Sequence, residues 1–317
     1  MKRLAILAAA LLAALPAAAG EVRLRAVSAF VFGTVGTRAF EPFVAWVNEN
    51  GRGVVQIDVI GGPEAMPPFE AGNAVSTGVV DIANVTSAFY TRLLPWADAL
   101  HLATNTVQEQ RANGCFALMD ARHQSEMNVK LLARTGDHVP FHLYLTKPIS
   151  GADLTGLTIR TTPVYRAMFE ALGATLVQTA PGEVYAALER GAIDGYGWPL
   201  QGVLDLGWEA HTKYRVDPGF YQMDVNFLIN LDTWNALDDA QRALLEAGAR
   251  HAEALNARNI EINAEERRKQ AAAGIETIAL EGADAALWVE TAQREGWKVV
   301  HTADPALAEA LAPCLGG

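Results

Sequence analysis

Basic residues, cysteines and long apolar runs are all scarce in this chain. Lysine and arginine together number 25 against 36 aspartates and glutamates, a formal charge of −11. Such a deficit argues against nucleic acid or an anionic membrane surface as a partner, because both are held by basic patches. It also means that an anionic ligand needs a cation placed for it locally. The two cysteines, Cys115 and Cys314, make no CxxC or zinc-binding pattern, so they either pair or stay as two buried thiols. Hydrolase and phosphate motifs are missing too: there is no GxSxG, no HExxH and no P-loop, and neither cysteine lies in a nucleophile motif.

One apolar run does occur, at the start. Lys2 and Arg3 precede an apolar segment from Leu4 to Leu15, which leads to Ala17, Ala18 and Ala19. That is the plan of a secretory signal peptide over residues 1–19, cleaved after Ala19, and it places the mature chain in the periplasm. A membrane anchor is the alternative, but the run is short against the roughly 20 residues that a spanning helix needs. In an oxidising compartment the two cysteines are free to pair. The remaining ~300 residues sit at the limit where a single core stops growing, so two lobes are expected.

The first part of the mature chain reads strand, helix, strand, helix, strand. VRLRAV from Val22 alternates and leads into SAFVFGT, which leaves Phe30 and Phe32 at a strand end. Phe40, Phe43, Val44 and Val47 form the apolar stripe of a helix that stops at Asn50 and Gly51. VVQIDVI is a second strand, and the loop after it carries Glu64, read as a solvated acid. A helix over Phe69–Thr77 precedes a third strand in VVDIANV. This order predicts a parallel sheet with crossover helices. Ligands of open α/β sheets bind outside the carboxyl ends of strands, so Thr86, Ser87, Phe89 and Tyr90 belong on the cleft side. Residues 95–136 read as mostly helical. Asp137, His138 and His142 then cluster, but FHLYLT alternates as a strand and no third ligand follows at motif spacing, so a metal is not expected there.

The most informative stretch runs from Asp153 to Pro199. LTIRTT is a β-branched run closed by Pro163, which puts Arg160 near a strand's carboxyl end, facing a candidate anion site. Met168, Phe169 and Leu172 then recur at helical spacing until Gly173. ATLVQT is another strand, Pro181 and Gly182 make a turn, and Val184 and Leu188 mark a short helix ended by Gly191. AIDGYGWP reads as a glycine-rich crossover.

GLTIRTTP, LGATLVQTAPGEVYAALERGAIDG and the WP that follows resemble the substrate-binding proteins of TRAP transporters, the DctP-like family. The resemblance implies two α/β lobes and a site for a small organic acid in the cleft, with Arg160 gripping the carboxylate. It also implies that Tyr90 reaches the ligand and that Phe141 or His142 lines the second lobe's side. Relatives that carry a second arginine about twenty residues before the clamp have no counterpart here. Many relatives have asparagine before the proline of the last turn, where this chain has Trp198. A subset binding 2-oxo acids has that tryptophan preceded by a glutamate that helps hold a cation, where this chain has Gly197, so no cation is carried over. The ligand-binding set is then Arg160, Trp198, Tyr196, Tyr90, Phe89, Phe141, His142, Phe30 and Asp224, the last also readable as a turn acid. One charge clamp with aromatic sides favours an acid with an apolar or ring-bearing body over a sugar acid.

Beyond this stretch, Tyr214–Phe220 reads as loop and VNFLIN as a strand returning to the first lobe. From an N-cap at Asp238 or Asp239 the chain to Ala273 lacks proline, and one helix of roughly 50 Å would span both lobes. KVVHT, from Lys298, is a possible strand in a segment packed on the second lobe. The expected architecture is a two-lobed periplasmic-binding-protein-like α/β fold with mostly parallel sheets, crossing strands and one long helix. Lobe I takes residues 20–142 and 227–265, and lobe II residues 143–226 and 266–317. The expected function is a solute-binding protein, a monomer, that delivers its acid to TRAP membrane permease subunits without a cofactor. A ligand sensor subunit and an exported enzyme are the alternatives.

Overall fold

A computed structural model describes residues 20–316, so the leader expected over residues 1–19 lies outside the described residues. The chain begins with β1 (Val22–Ser28), α1 (Phe40–Asn50), β2 (Val55–Gly61), α2 (Ala71–Ser76) and β3 (Ile82–Val85). Helix α1 buries Phe40, Phe43 and Val47 on one face. Its stop at Gly51 is steric, since a Cβ there would lie 2.3 Å from the carbonyl oxygen of Val55. Three helices follow: α3 (Ala99–Leu102), α4 (Val107–Ala112), which opens on a Thr106–Glu109 capping box, and α5 (Cys115–Met127).

Next come β4 (Val129–Thr135), β5 (Phe141–Leu145), β6 (Thr158–Thr161), α6 (Pro163–Ala171), β7 (Thr175–Gln178), α7 (Val184–Glu189), β8 (Gly195–Pro199) and β9 (Tyr214–Asp217). β10 (Val225–Asn230), α8 (Leu231–Ala236), α9 (Asp239–Ala254), α10 (Asn259–Ala272), β11 (Glu276–Ala279), α11 (Gly282–Ala303) and α12 (Pro305–Cys314) complete the chain. No helix among the described residues is long and apolar enough to cross a membrane.

Two mixed sheets form the two lobes. The first has the order β2-β1-β3-β10-β4, and the second β11-β9-β5-β8-β6-β7. The parallel pairs expected from the β–α–β order are present, β1 with β2 and β3, and β6 with β7 and β8. However, β10 runs antiparallel to β3 and β4, and β5 antiparallel to β8 and β9. Those antiparallel strands are the ones that cross between lobes: residues 136–140 lead from β4 to β5, and residues 218–224 lead from β9 to β10.

Several local expectations change. The glycine-rich segment before Pro199 is not a crossover but the buried strand β8. Glycine is needed there because a Cβ on Gly195 would sit 2.3 Å from the Tyr144 carbonyl oxygen of β5. Tyr214–Asp217 is strand rather than loop, its buried Arg215 neutralised by Asp217 at 3.0 Å. The helical reading of residues 95–136 misses β4, and Lys298–Thr302 continue α11 instead of forming a strand. The long helix is present as α9 and α10 joined by a 3-10 turn at Leu255–Arg258. It bridges the sheets: Glu253 meets Arg111 of α4, and Gln270 bonds Tyr144 and Leu200.

The C-terminal residues do not stay with the second sheet. The buried Trp288 of α11 packs on Phe169 and Phe220, but its Gly296 lies against Leu102. α12 is then joined to α5 by the Cys115–Cys314 disulfide, so the cysteines pair across 199 residues of sequence.

Candidate functional site

Between the sheets lies a cavity of about 120 Å³. Its wall on the first lobe is apolar, built by Phe30, Val31, Val35 and Phe89, with Phe30 and Phe89 5.8 Å apart. Its wall on the second lobe holds Phe141, Thr162, Val164, Tyr165 and Trp198. Alternation along β5 explains why Phe141 reaches the cavity and its neighbour His142 does not.

The second wall is also where positive potential gathers. β6 ends at Thr161, Thr162 stays extended, and Pro163 starts α6 with no side-chain cap. The N–H groups of the first turn, carried by Val164 and Tyr165, therefore belong to an open helix N-terminus, which suits an anion. Arg160 lies directly behind, fully buried. Its Nε and Nη2 donate to the Thr179 carbonyl oxygen at 3.0 and 2.7 Å, and Nη1 donates to the Tyr165 hydroxyl at 3.0 Å. A guanidinium has five N–H donors, so one N–H on each terminal nitrogen remains. No acidic side chain among the described residues pairs with it, whereas the buried Arg134 pairs with Asp137 at 2.9 Å. A buried cation without a counter-charge is costly, and an anion in this cleft would supply one. The Trp198 ring faces the same guanidinium at 5.9 Å, and its Nε1 has no hydrogen-bond partner, nor has the Thr162 hydroxyl.

Asp224 reaches the cavity from the crossing strand, but its carboxylate is already engaged. It accepts from Ser87 N at 3.1 Å, Asn226 Nδ2 at 2.6 Å and Thr86 Oγ1 at 3.1 Å, and it lies 2.5 Å from His101 Nε2. The other His101 nitrogen faces the Gln222 carbonyl oxygen at 3.0 Å. Burial raises the Asp224 carboxyl, but His101, Arg134 and the Ser87 N–H lower it by more, leaving it at about 2. Asp224 thus ties three segments together beside the cavity.

The structure brings Phe30, Phe89, Phe141, Trp198 and Asp224 to the cavity wall, with Arg160 one side chain behind. It does not bring Tyr90, whose hydroxyl meets His123 and Asn226 at 3.1 Å each and whose burial pushes the phenol well above its usual range. Tyr196 lies in a second apolar cluster, stacked on Tyr144 and bonded to Thr212. His142 faces Val216 and Asp217, and it helps hold the Asp217 carboxyl well below the usual range against the upward push of burial. Among the described residues no group of three or more histidines, cysteines or acids is placed to hold a metal. Tyr165, Val35 and His101 were not singled out from sequence. Tyr165 had a signal, since it sits in the first turn after the strand that carries Arg160; His101 had none.

Gly197 explains one departure from the resemblance. A Cβ there would lie 2.8 Å from the Tyr165 ring, so this chain fills with Tyr165 the space from which a side chain at 197 would grow.

Two α/β lobes flank one largely apolar cavity, with a buried arginine behind its wall. The model of the bacterial extracellular solute-binding proteins, family 7 (DctP), matches residues 33–300, and the chain belongs to that family of extracytoplasmic receptors, which are not enzymes. It is 26% identical over 204 residues to a monocarboxylate 2-oxoacid-binding periplasmic protein of Nostoc, covering 60% of this chain and 55% of the relative. A solute-binding protein of Roseobacter denitrificans is 29% identical over 148 residues, 45% of this chain and 46% of that one. The chain thus spans about half the length of these curated relatives.

Solved structures resemble it over nearly all of its length. A TRAP periplasmic solute-binding protein of Desulfovibrio salexigens with bound orotic acid has a TM-score of 0.81 at 19% identity, covering 92% of this chain and 97% of that one. A Bordetella pertussis receptor binding pyroglutamic acid has a TM-score of 0.82 at 19% identity, covering 93% and 99%. At such identities the likeness is one of fold.

Proposed function

We propose that this protein is the periplasmic receptor of a TRAP-type transporter, taking a small monocarboxylate with a compact apolar body and delivering it to the membrane permease. The observation that carries the reading is the buried Arg160, which has no acidic partner and stands behind an uncapped helix N-terminus. The carboxylate would take the two remaining guanidinium N–H groups and the α6 amides, in a site dried by closure, where charge-assisted bonds are strongest. The cavity's composition limits the rest of the ligand. None of the residues lining it is a lysine or arginine, so a second carboxylate meets no partner, and Asp224 is too fully bonded to receive an ammonium group. The volume, about 120 Å³, is near the ~150 Å³ of an apolar cavity known to take benzene, which suits one ring or a branched chain. The Nostoc relative named for 2-oxo monocarboxylates and the structures holding orotic and pyroglutamic acids support a small acid in this place.

A thermal-shift screen of protein unfolded and refolded to strip carried-over ligand tests this. The set would contain benzoate, picolinate, branched 2-oxo acids, succinate, galactonate and alanine. Binders at a hundredfold excess over Kd add about 2.7 kcal/mol, a plain rise in Tm. Monocarboxylates should shift the protein and lose that effect in Arg160→Gln. Tighter calorimetric binding of succinate or galactonate than of any monocarboxylate would overturn the ligand class.

A further inference from the structure

The lobes also touch on the cavity wall formed by Val35, Gly202 and Leu206. Val35 belongs to the loop after β1, and its N–H donates to Asp205 Oδ2 at 2.9 Å, in the short turn Leu204–Leu206 after β8. Three residues on, Arg38 donates to Gln201, which is itself fixed by Asn263 of α10 at 2.8 Å. Between these two bonds Gly202 fits against Val35 so closely that a Cβ would lie 2.5 Å from Val35 Cγ1, at a backbone φ of +95°. Val35 also lines a second cavity of about 510 Å³ with Arg38 and Gln201, so the contact stands between that cavity and the inner one.

Both sides are anchored in their lobes. The Val35 loop is held to the first sheet by Asn84, which bonds the Gly36 carbonyl oxygen at 2.9 Å and Ser28 at 3.0 Å. The Asp205 turn is rooted through Val203 and Leu206 in the cluster around Trp198 and Trp208. Opening the lobes must break the Asp205 bond and pull Gly202 away from Val35. Asp205 is solvent-exposed and has no cationic partner among the described residues, so water can replace its single bond readily.

We propose that this contact is the latch that holds the cleft closed, and that Asp205 sets how fast bound ligand leaves. The proposal rests on the receptor reading given above. A charged acceptor on a backbone N–H is worth about a tenfold change in the closed population at the exposed end of its range.

Hydrogen exchange of the ligand-free chain, read by mass spectrometry, separates a latch from a local bond. The amides of Ala88 on one wall and of Val164 and Tyr165 on the other line the cavity without a hydrogen bond to their own lobe, so closure is what shields them. Asp205→Ala should speed exchange roughly five- to tenfold on both walls, with β3 and β6 unchanged. Asp205→Asn, which keeps an oxygen acceptor without the charge, should lie between. Gly202→Ala, a wedge against Val35, should reproduce the Ala pattern while circular dichroism confirms the fold. Faster exchange at Val35 alone, or no change in any variant, would overturn the proposal. A chain that shows the paired response yet binds no acid keeps its latch and loses the ligand reading.

Discussion

Arg160 Nη1 lies 3.0 Å from the Tyr165 hydroxyl, which in turn donates to the Gly197 carbonyl oxygen at 3.0 Å. The only oxygen partners this buried guanidinium has among the described residues are neutral ones. Its cost to the folded state is therefore a cost that ligand relieves. Arg160→Lys should weaken binding at least a hundredfold, since an ammonium group cannot present two parallel N–H bonds. Arg160→Met should abolish binding with little loss of Tm in the ligand-free protein, because it removes an unpaired buried charge. Calorimetry and a melting curve on the same variant check both halves, and a large loss of Tm would make Arg160 a structural residue.

The Tyr165 ring occupies space that Gly197 leaves open, with only 2.8 Å from ring to a Cβ at 197. Gly197→Ala should displace that ring, misplace the Arg160 bond and weaken binding roughly tenfold, on the scale of one charge-assisted hydrogen bond. Tyr165→Phe should cost a similar factor while leaving the apolar wall intact. If Gly197→Glu instead created calcium-dependent binding in calorimetry, the Tyr165 ring would not be the obstacle to a side chain at 197.

Two buried acids near the cavity give opposite pH signatures. Asp98 is buried with Oδ1 unpartnered, and burial pushes its carboxyl up to about 7 despite His101. Because its folded value lies above the unfolded one, its contribution is present below about pH 4 and is lost as pH rises through about 7. Asp224, held at about 2, contributes above about pH 4 and loses this as pH falls through about 2. Asp98→Asn should therefore raise Tm at pH 8 and change it little at pH 4. Equal effects at both pH values would show that Asp98 is not titrating in that window.

Much of this was legible from residues. The βαβ order, the Arg160 position and the strand ending at Pro163 follow from local chemistry, because a β-branched run, a proline and a glycine each restrict the backbone by themselves. Strand ends point Phe30 and Phe89 to the cavity, whereas Phe141, with His142 as its alternative, comes only from the resemblance. The placement of Tyr90 and Tyr196 was not legible, since period alone does not say which side of a wall a ring faces. Strand β8 looked like a turn, its glycines being required by close approach to β5 rather than by a change of direction. Asp224 was seen, but not its ties to His101 and Ser87, which come from segments far apart in sequence.

The C-terminal helix offers a separate check on how the lobes are held. Cys115 and Cys314 are 199 residues apart in sequence, so the bridge closes most of the mature chain into one loop. In the chain-entropy account a loop of this size is worth up to about 5 kcal/mol, with about 2–5 kcal/mol typical of native bridges. The bridge is reinforced locally: Asn105 and Asn113 both donate to the Cys314 carbonyl oxygen at 2.8 Å, and Arg122 pairs with Asp304 at 2.6 Å. All of these residues lie outside the cavity lining. A Cys115→Ser/Cys314→Ser variant should thus melt lower, as should the native protein under reductant, whereas the Kd for a monocarboxylate hit stays within about twofold. A Kd that rises in step with the loss of Tm would mean that α12, through α11 and its contact with Leu102, helps set the closed geometry of the cleft.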